Sequence, residues 1–254
     1  YVVHKLLNIF PVYWFCLFCY LLLAWLRGCS EQYTLQGDFP FYVFLIQTWL
    51  PWLEPMKYMG PSWFLSSLLF CYLLSPLVDN YVQTKYSLMI LLSMIVLWHC
   101  CRFDTYISPV YRLFEYALGM WLIRRIPRFG MHTEPFPGFL LLCLAIFLIM
   151  LHNGVPNWSN LPLFALLICG LYIVHSKSLC TVLGNSLCVY LSKSNIFIYL
   201  SHAGIGFHIA FFFIGTNAYV AVIVSVIVGY VLFRIYSFLY NFCVNALQSV
   251  IGVK

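Results

Sequence analysis

Arg112 and Glu115 stand three positions apart in the apolar stretch Tyr111-Arg112-Leu113-Phe114-Glu115-Tyr116-Ala117-Leu118-Gly119-Met120. A carboxylate in such surroundings needs a cation or a polar cavity, and a spacing of three places the guanidinium on the same helix face. Two readings stand on the residues alone: a polar site opening outward, or an internal ion pair that fixes helix packing. His202 ends the stretch Asn195-Ile196-Phe197-Ile198-Tyr199-Leu200-Ser201-His202. Its imidazole can act as a base or hold a substrate near neutral pH. Tyr199 lies one turn before it, and Ser201 and Asn195 add polar atoms. The plainer alternative is a histidine hydrogen-bonded within a bundle, which is also the reading for His208. Lys5 and Asn8 bring a cation and an amide together near the start, suited to an anionic ligand or to anchoring a membrane edge. Trp63 heads an apolar stretch and reads by itself as an interfacial anchor.

The elements that must position these groups are apolar runs of about bilayer length, at roughly 9–26, 62–78, 87–101, 109–123, 137–152, 162–175, 194–214 and 218–238. Hydrophobic residues make up 63% of the chain and charged ones 8%, where a soluble domain carries about a quarter charged residues. Alternating segments of a closed barrel are missing from the pattern. The expectation is an all-α polytopic transmembrane bundle forming one domain over residues 1–254, with eight spans in this chain. Placing the N-terminus in the cytoplasm puts nine Lys and Arg residues inside and leaves Arg27, Lys57, Arg102 and Arg112 outside, with Arg124-Arg125-Ile126-Pro127-Arg128 as the strongest anchor. Both termini are then cytoplasmic. The outer stretch 27–61 carries the aromatic segment Phe39–Ile46, suited to a helix that lies in the interface or dips back in.

The net charge of +6 is explained by topology, and no basic patch interleaved with aromatics suggests a nucleic acid. Of the eleven cysteines, Cys16, Cys19, Cys71, Cys143 and Cys169 fall inside expected spans and read as small apolar residues, with no disulfide framework. His99-Cys100-Cys101 is a poor metal site because adjacent helical positions diverge. No metal is expected.

Four segments, in this order, resemble the acyltransferase-3 family of membrane O-acyltransferases, which includes bacterial polysaccharide O-acetylases. Lys5-Leu6-Leu7-Asn8-Ile9-Phe10-Pro11 is similar to the family's cytoplasmic Arg-x-x-Arg-Ile-x-Pro motif, and Trp63-Phe64-Leu65 with Tyr72 and Pro76 to its Trp-Phe-Leu helix. Arg112-Leu113-Phe114-Glu115-Tyr116 with Gly119-Met120 resembles its Arg-x-x-Glu-Phe-x-x-Gly-Met helix. Ile198-Tyr199-Leu200-Ser201-His202 resembles its Ile-Tyr-Leu-x-His segment.

The resemblance implies a bundle of ten helices that moves an acyl group, acetyl by family habit, from cytoplasmic acyl-coenzyme A to a hydroxyl of an extracytoplasmic carbohydrate or similar acceptor. Acyl-CoA is then a donor substrate, with no cofactor held permanently, and the setting is a bacterial inner membrane. The family's main catalytic histidine, in its first helix, lies outside this chain, whose Tyr1 aligns after the second span. Lys5 and Asn8 fall where the family has two arginines, exchanging forked phosphate contacts for one point charge and a neutral amide. By the same resemblance Trp63, Arg112, Glu115, Tyr199 and His202 line the passage or the acceptor site, with Glu115 and His202 the candidates for catalysis. Two other classes remain: an inactive relative serving as a membrane scaffold, and a transporter of a small or lipid-linked substrate. The second fits intramembrane Arg, Glu and His but not the lack of internal symmetry. Oligomeric state is not legible.

Overall fold

The computed structural model describes residues 2–26, 37–101, 104, 106–125, 184–206, 209 and 218–251. The described residues are helical, with turns between them and no strand. The elements are α1 (Val2–Leu26), α2 (Phe39–Val43), a single 3-10 turn (Gln47–Trp49), α3 (Ser62–Val82), α4 (Ser87–Cys100), α5 (Pro109–Arg125), α6 (Ser186–Ser201), a π-turn (His202–Gly206) and α7 (Ala218–Ile251). Three helices among the described residues are long and apolar enough to cross a membrane: Val2–Leu26, Ser62–Val82 and the Val220–Asn245 part of α7. At 1.5 Å per residue the 25 residues of α1 rise about 37 Å, enough for a hydrocarbon core of about 30 Å. Helices α4 and α5 fall on expected spans but are shorter, at 14 and 17 residues, while the 16 residues of α6 overlap the expected span 194–214 only in its first part. The expected spans 137–152 and 162–175 lie outside the described residues.

The chain divides into two compact units, residues 1–66 with 185–254 and residues 67–184. In the first, α6 packs chiefly on α7, and α1 lies against both. Gly229 makes this possible: a Cβ there would sit 2.5 Å from the Ile198 Cα, so any side chain would push the two helices apart. Phe15, Phe197 and Tyr236 fill the junction of the three helices with ring centroids 5.3–6.4 Å apart. The outward residues of α7, among them Phe238, Phe242, Ile223 and Ile227, are large, apolar and exposed, as a lipid-facing helix requires.

In the second unit α4 packs on α5, and Val78, Val82, Leu91 and Ala117 form a buried cluster with Leu113, Tyr116 and Trp121 against it. Contacts at both ends show that the α3 residues of this unit run parallel to α5. Ser67 Oγ donates to the Ile107 carbonyl at 3.2 Å just before α5, Tyr72 meets Tyr116 edge-on, and Asp79 pairs with Arg124 near the other end. Helix α5 starts at Ser108-Pro109, where the Ser108 hydroxyl accepts from the Tyr111 N–H and the missing N–H of proline costs nothing.

Candidate functional site

The stretch 37–61 packs against the middle of α1. Tyr13 and Trp14, at the midpoint of α1 and about 18 Å from either end, donate to the carbonyls of Tyr42 at 2.7 Å and Val43 at 2.9 Å. Only five residues of the aromatic segment are helical. The rest, up to the start of α3, is held by side-chain hydrogen bonds. Thr48 and Trp49 bond to Ser66, Lys57 pairs with Asp38 at 2.7 Å, and the Tyr42 hydroxyl donates to the Glu54 carbonyl at 2.5 Å. Burial, with Asp38, Glu54 and Tyr58 nearby, pushes the Tyr42 phenol up to about 12, so it remains a donor throughout the neutral range.

Trp63 is buried, at 8% exposure. Its neighbour Phe64 touches Tyr199 at a centroid distance of 5.4 Å, and Tyr199 touches His202 at 5.4 Å. Trp63 is thus linked by one row of rings to Tyr199 and His202, far from it in sequence.

His202 opens the π-turn, a widening that recurs at functional positions. Its Nδ1 lies 2.5 Å from the Tyr199 carbonyl. Since a carbonyl only accepts, Nδ1 carries the proton in the neutral ring and Nε2 carries the lone pair. Ser225 braces the turn from α7, donating to the His202 carbonyl at 3.3 Å. Ser201 is buried and bonded to the Ile198 and Ser225 carbonyls, so it serves packing. Asn195 is exposed. His208 lies outside the described residues.

Arg112 and Glu115 belong to the other unit. Arg112 Nη1 bonds to Glu115 Oε2, while Nε and Nη2 donate to the Tyr106 carbonyl at 3.1 and 2.8 Å. Asp104 fixes that carbonyl by accepting from the Tyr106 and Ile107 N–H groups, and its own carbonyl accepts from the Trp98 indole at 2.8 Å. The guanidinium also lies near the Tyr106 and Tyr111 rings. Of the two sequence readings, the internal clamp describes Arg112 better; Glu115 retains partial exposure, at 23% for its side chain. At the start of α1, Asn8 Nδ2 lies 3.4 Å from His4 Nε2, and Lys5 stands half-buried between them in sequence. Among the described residues no group of three metal-ligating side chains occurs, and the described cysteines are free thiols.

Sequence reasoning missed Gln47, a fully buried amide. Its Nε2 donates to Ser62 Oγ at 2.9 Å. Gln47 Oε1 is left buried with no hydrogen-bond partner among the described residues, at a cost of about 1–3 kcal/mol. Two residues earlier Leu45 is fully buried with a left-handed backbone, φ 57°, which costs a non-glycine residue about 1–2 kcal/mol. The signal in the sequence was the isolated amide in Tyr42-Val43-Phe44-Leu45-Ile46-Gln47-Thr48-Trp49-Leu50.

These features define a class: an all-helical protein with membrane-length helices and polar groups gathered at mid-depth along one of them. Comparison of the chain with protein-family models, curated proteins and solved structures returned no match.

Proposed function

We propose that the protein is a multi-pass membrane O-acyltransferase of the acyltransferase-3 type, with eight spans here of ten in the complete bundle and both ends of this chain in the cytoplasm of a bacterial inner membrane. It moves an acetyl group from cytoplasmic acetyl-CoA to a hydroxyl of an extracytoplasmic glycan or similar acceptor. A base takes the proton of the acceptor O–H, the oxygen attacks the thioester carbonyl, and the carbon–sulfur bond breaks to release coenzyme A as a thiol. The family's base is the first-helix histidine outside this chain. Lys5 and Asn8 meet the phosphates of the coenzyme. Trp63, Tyr199 and His202 line the acceptor side of the passage.

The observation that carries this reading is the row Trp63, Phe64, Tyr199 and His202, in which two of the four resembling segments meet in space. The test uses the complete gene product in nanodiscs, supplied with labelled acetyl-CoA and an envelope glycan. Alkali-labile label in the glycan with release of coenzyme A is expected, reduced at least tenfold by His202→Ala, the loss expected from about one charge-assisted hydrogen bond. Unchanged transfer in both Glu115→Ala and His202→Ala removes those residues from the site. Absence of coenzyme A release overturns the reading.

A further inference from the structure

We propose that the Arg112, Glu115 and Gly119 face of α5 is a lipid-binding site: a lipid with one hydrocarbon chain and a hydroxyl at the head of that chain lays the chain over Gly119 and donates a hydrogen bond from the hydroxyl to Glu115.

Gly119 lies in the interior of α5, where a glycine weakens a helix relative to alanine. Packing explains Gly206 and Gly229, since a Cβ would stand 2.4 Å from Ser225 Oγ at the first and 2.5 Å from the Ile198 Cα at the second. At Gly119 a Cβ would meet no atom within 4 Å, and the residue is exposed. The fold leaves this room unfilled. The packed side of α5 is a different one, where Leu113, Tyr116, Ala117, Met120 and Trp121 join the buried cluster with α3 and α4. A further helix is a poor occupant of the notch. Close helix packing uses small residues four apart, and the positions four away from Gly119 are Glu115 and Ile123. The notch is one residue wide, which suits a single chain.

The head of the ligand follows from Glu115. Spacings of three and four place Arg112, Glu115 and Gly119 on one helix face. Glu115 bonds to Arg112 through Oε2, makes no other hydrogen bond among the described residues, and keeps 23% exposure. A carboxylate oxygen only accepts, so Oε1 selects a donor and rejects a phosphate or a carbonyl. Order along the helix supplies the rest. At 1.5 Å per residue Glu115 lies about 9 Å and Gly119 about 15 Å from the start of α5, and helix side chains lean toward the N-terminus. With Ser108-Pro109 at the membrane edge, the carboxylate reaches the level where the glycerol of a lipid meets its chains, and the notch lies at chain level. A lysophospholipid presents this pair, one chain with a free glycerol hydroxyl above it. The site rests on α5 as a span, and it is independent of acyl transfer.

Photolabelling tests this on the complete gene product in nanodiscs. The probe is lysophosphatidylcholine with a diazirine in its chain, and the competitors are oleoyl lysophosphatidylcholine and the methyl ether of its glycerol hydroxyl, which differ by one O–H. Label is expected on the α5 peptide that contains Gly119. The free hydroxyl compound should displace it at about a tenfold lower concentration than the ether, the effect of one hydrogen bond to a charged acceptor. Glu115→Ala should erase that difference, and Glu115→Gln, which keeps an acceptor oxygen, should retain part of it. Gly119→Leu should prevent the labelling. Gly119→Ala should weaken it with an unfolding midpoint at or above that of the wild type, because nothing stands where its methyl group goes. Label confined to other helices, equal displacement by the two competitors, or a lowered midpoint in Gly119→Ala, which would mark the glycine as a packing contact, overturns the proposal. Acetyl transfer takes no part in this readout, so the lipid site and the acyl-transfer reading fail separately.

Discussion

The two polar constellations of this molecule are assembled in opposite ways. Arg112 and Glu115 are three residues apart on one helix, and Arg112 is satisfied locally by Glu115 and the Tyr106 carbonyl. Tyr13, Tyr42, Gln47 and Ser62 come from α1, the stretch 37–61 and the start of α3, and their hydrogen bonds join positions 29 and 15 residues apart. The first constellation is local. The second is tertiary and leaves Gln47 Oε1 buried with no partner among the described residues. Charge content misleads here: the buried unmet requirement belongs to the neutral amide and not to the ionised pair.

The scaffold beneath the tertiary constellation gives the largest expected effect. Gly229→Leu would drive a side chain into the Ile198 backbone and separate α6 from α7, costing about 3 kcal/mol or more; thermal unfolding in nanodiscs should show most of the folded population lost. Tyr13→Phe removes the buried hydrogen bond from α1 to the Tyr42 carbonyl, with an expected loss of about 1 kcal/mol. Gln47→Leu removes the donor to Ser62 together with a buried acceptor that has no partner among the described residues, so its midpoint should move less, by under about 1 kcal/mol. A clear drop would show that Gln47 is a brace like Arg112.

On the local side, Arg112→Lys keeps the charge but gives up the forked donation to Tyr106, and about 1 kcal/mol should be lost. The smallest effect belongs to Lys57. Its hydrogen bond to Asp38 raises its pKa above the ordinary 10.5, so its contribution is fully present below that value and fades as pH rises through the higher folded-state value. Lys57→Met should flatten that alkaline decline and shift the neutral-pH midpoint little, because the pair is partly exposed. Unfolding midpoints at neutral and alkaline pH measure both.

What the sequence made legible follows the same division. Helix class and the places of α1, α3, α4, α5 and α7 were readable because length and apolarity decide what survives in a bilayer. The Arg112 and Glu115 contact was readable because a spacing of three is a geometric fact. The contact of Phe64 with Tyr199 joins residues 135 positions apart, and no periodicity encodes it; only the resemblance put their segments in one site. The burial of Trp63 was not readable because aromatic residues at span ends serve both lipid interfaces and interiors, and burial is a tertiary event. Gln47 was passed over because hydropathy ranks an amide as a mild defect, whereas its burial depends on the packing around it.

The most direct test of the account is the sidedness of acyl transfer. Sealed proteoliposomes of the complete gene product, sorted by orientation, would receive labelled acetyl-CoA only on the face that carries Lys5 and Asn8, with glycan acceptor enclosed on the other. The account predicts coenzyme A released on the donor face and acetyl ester accumulating on the opposite one, with His202→Ala slowing both together. Ester formed only on the donor face, or no coenzyme A released from either orientation, would contradict it.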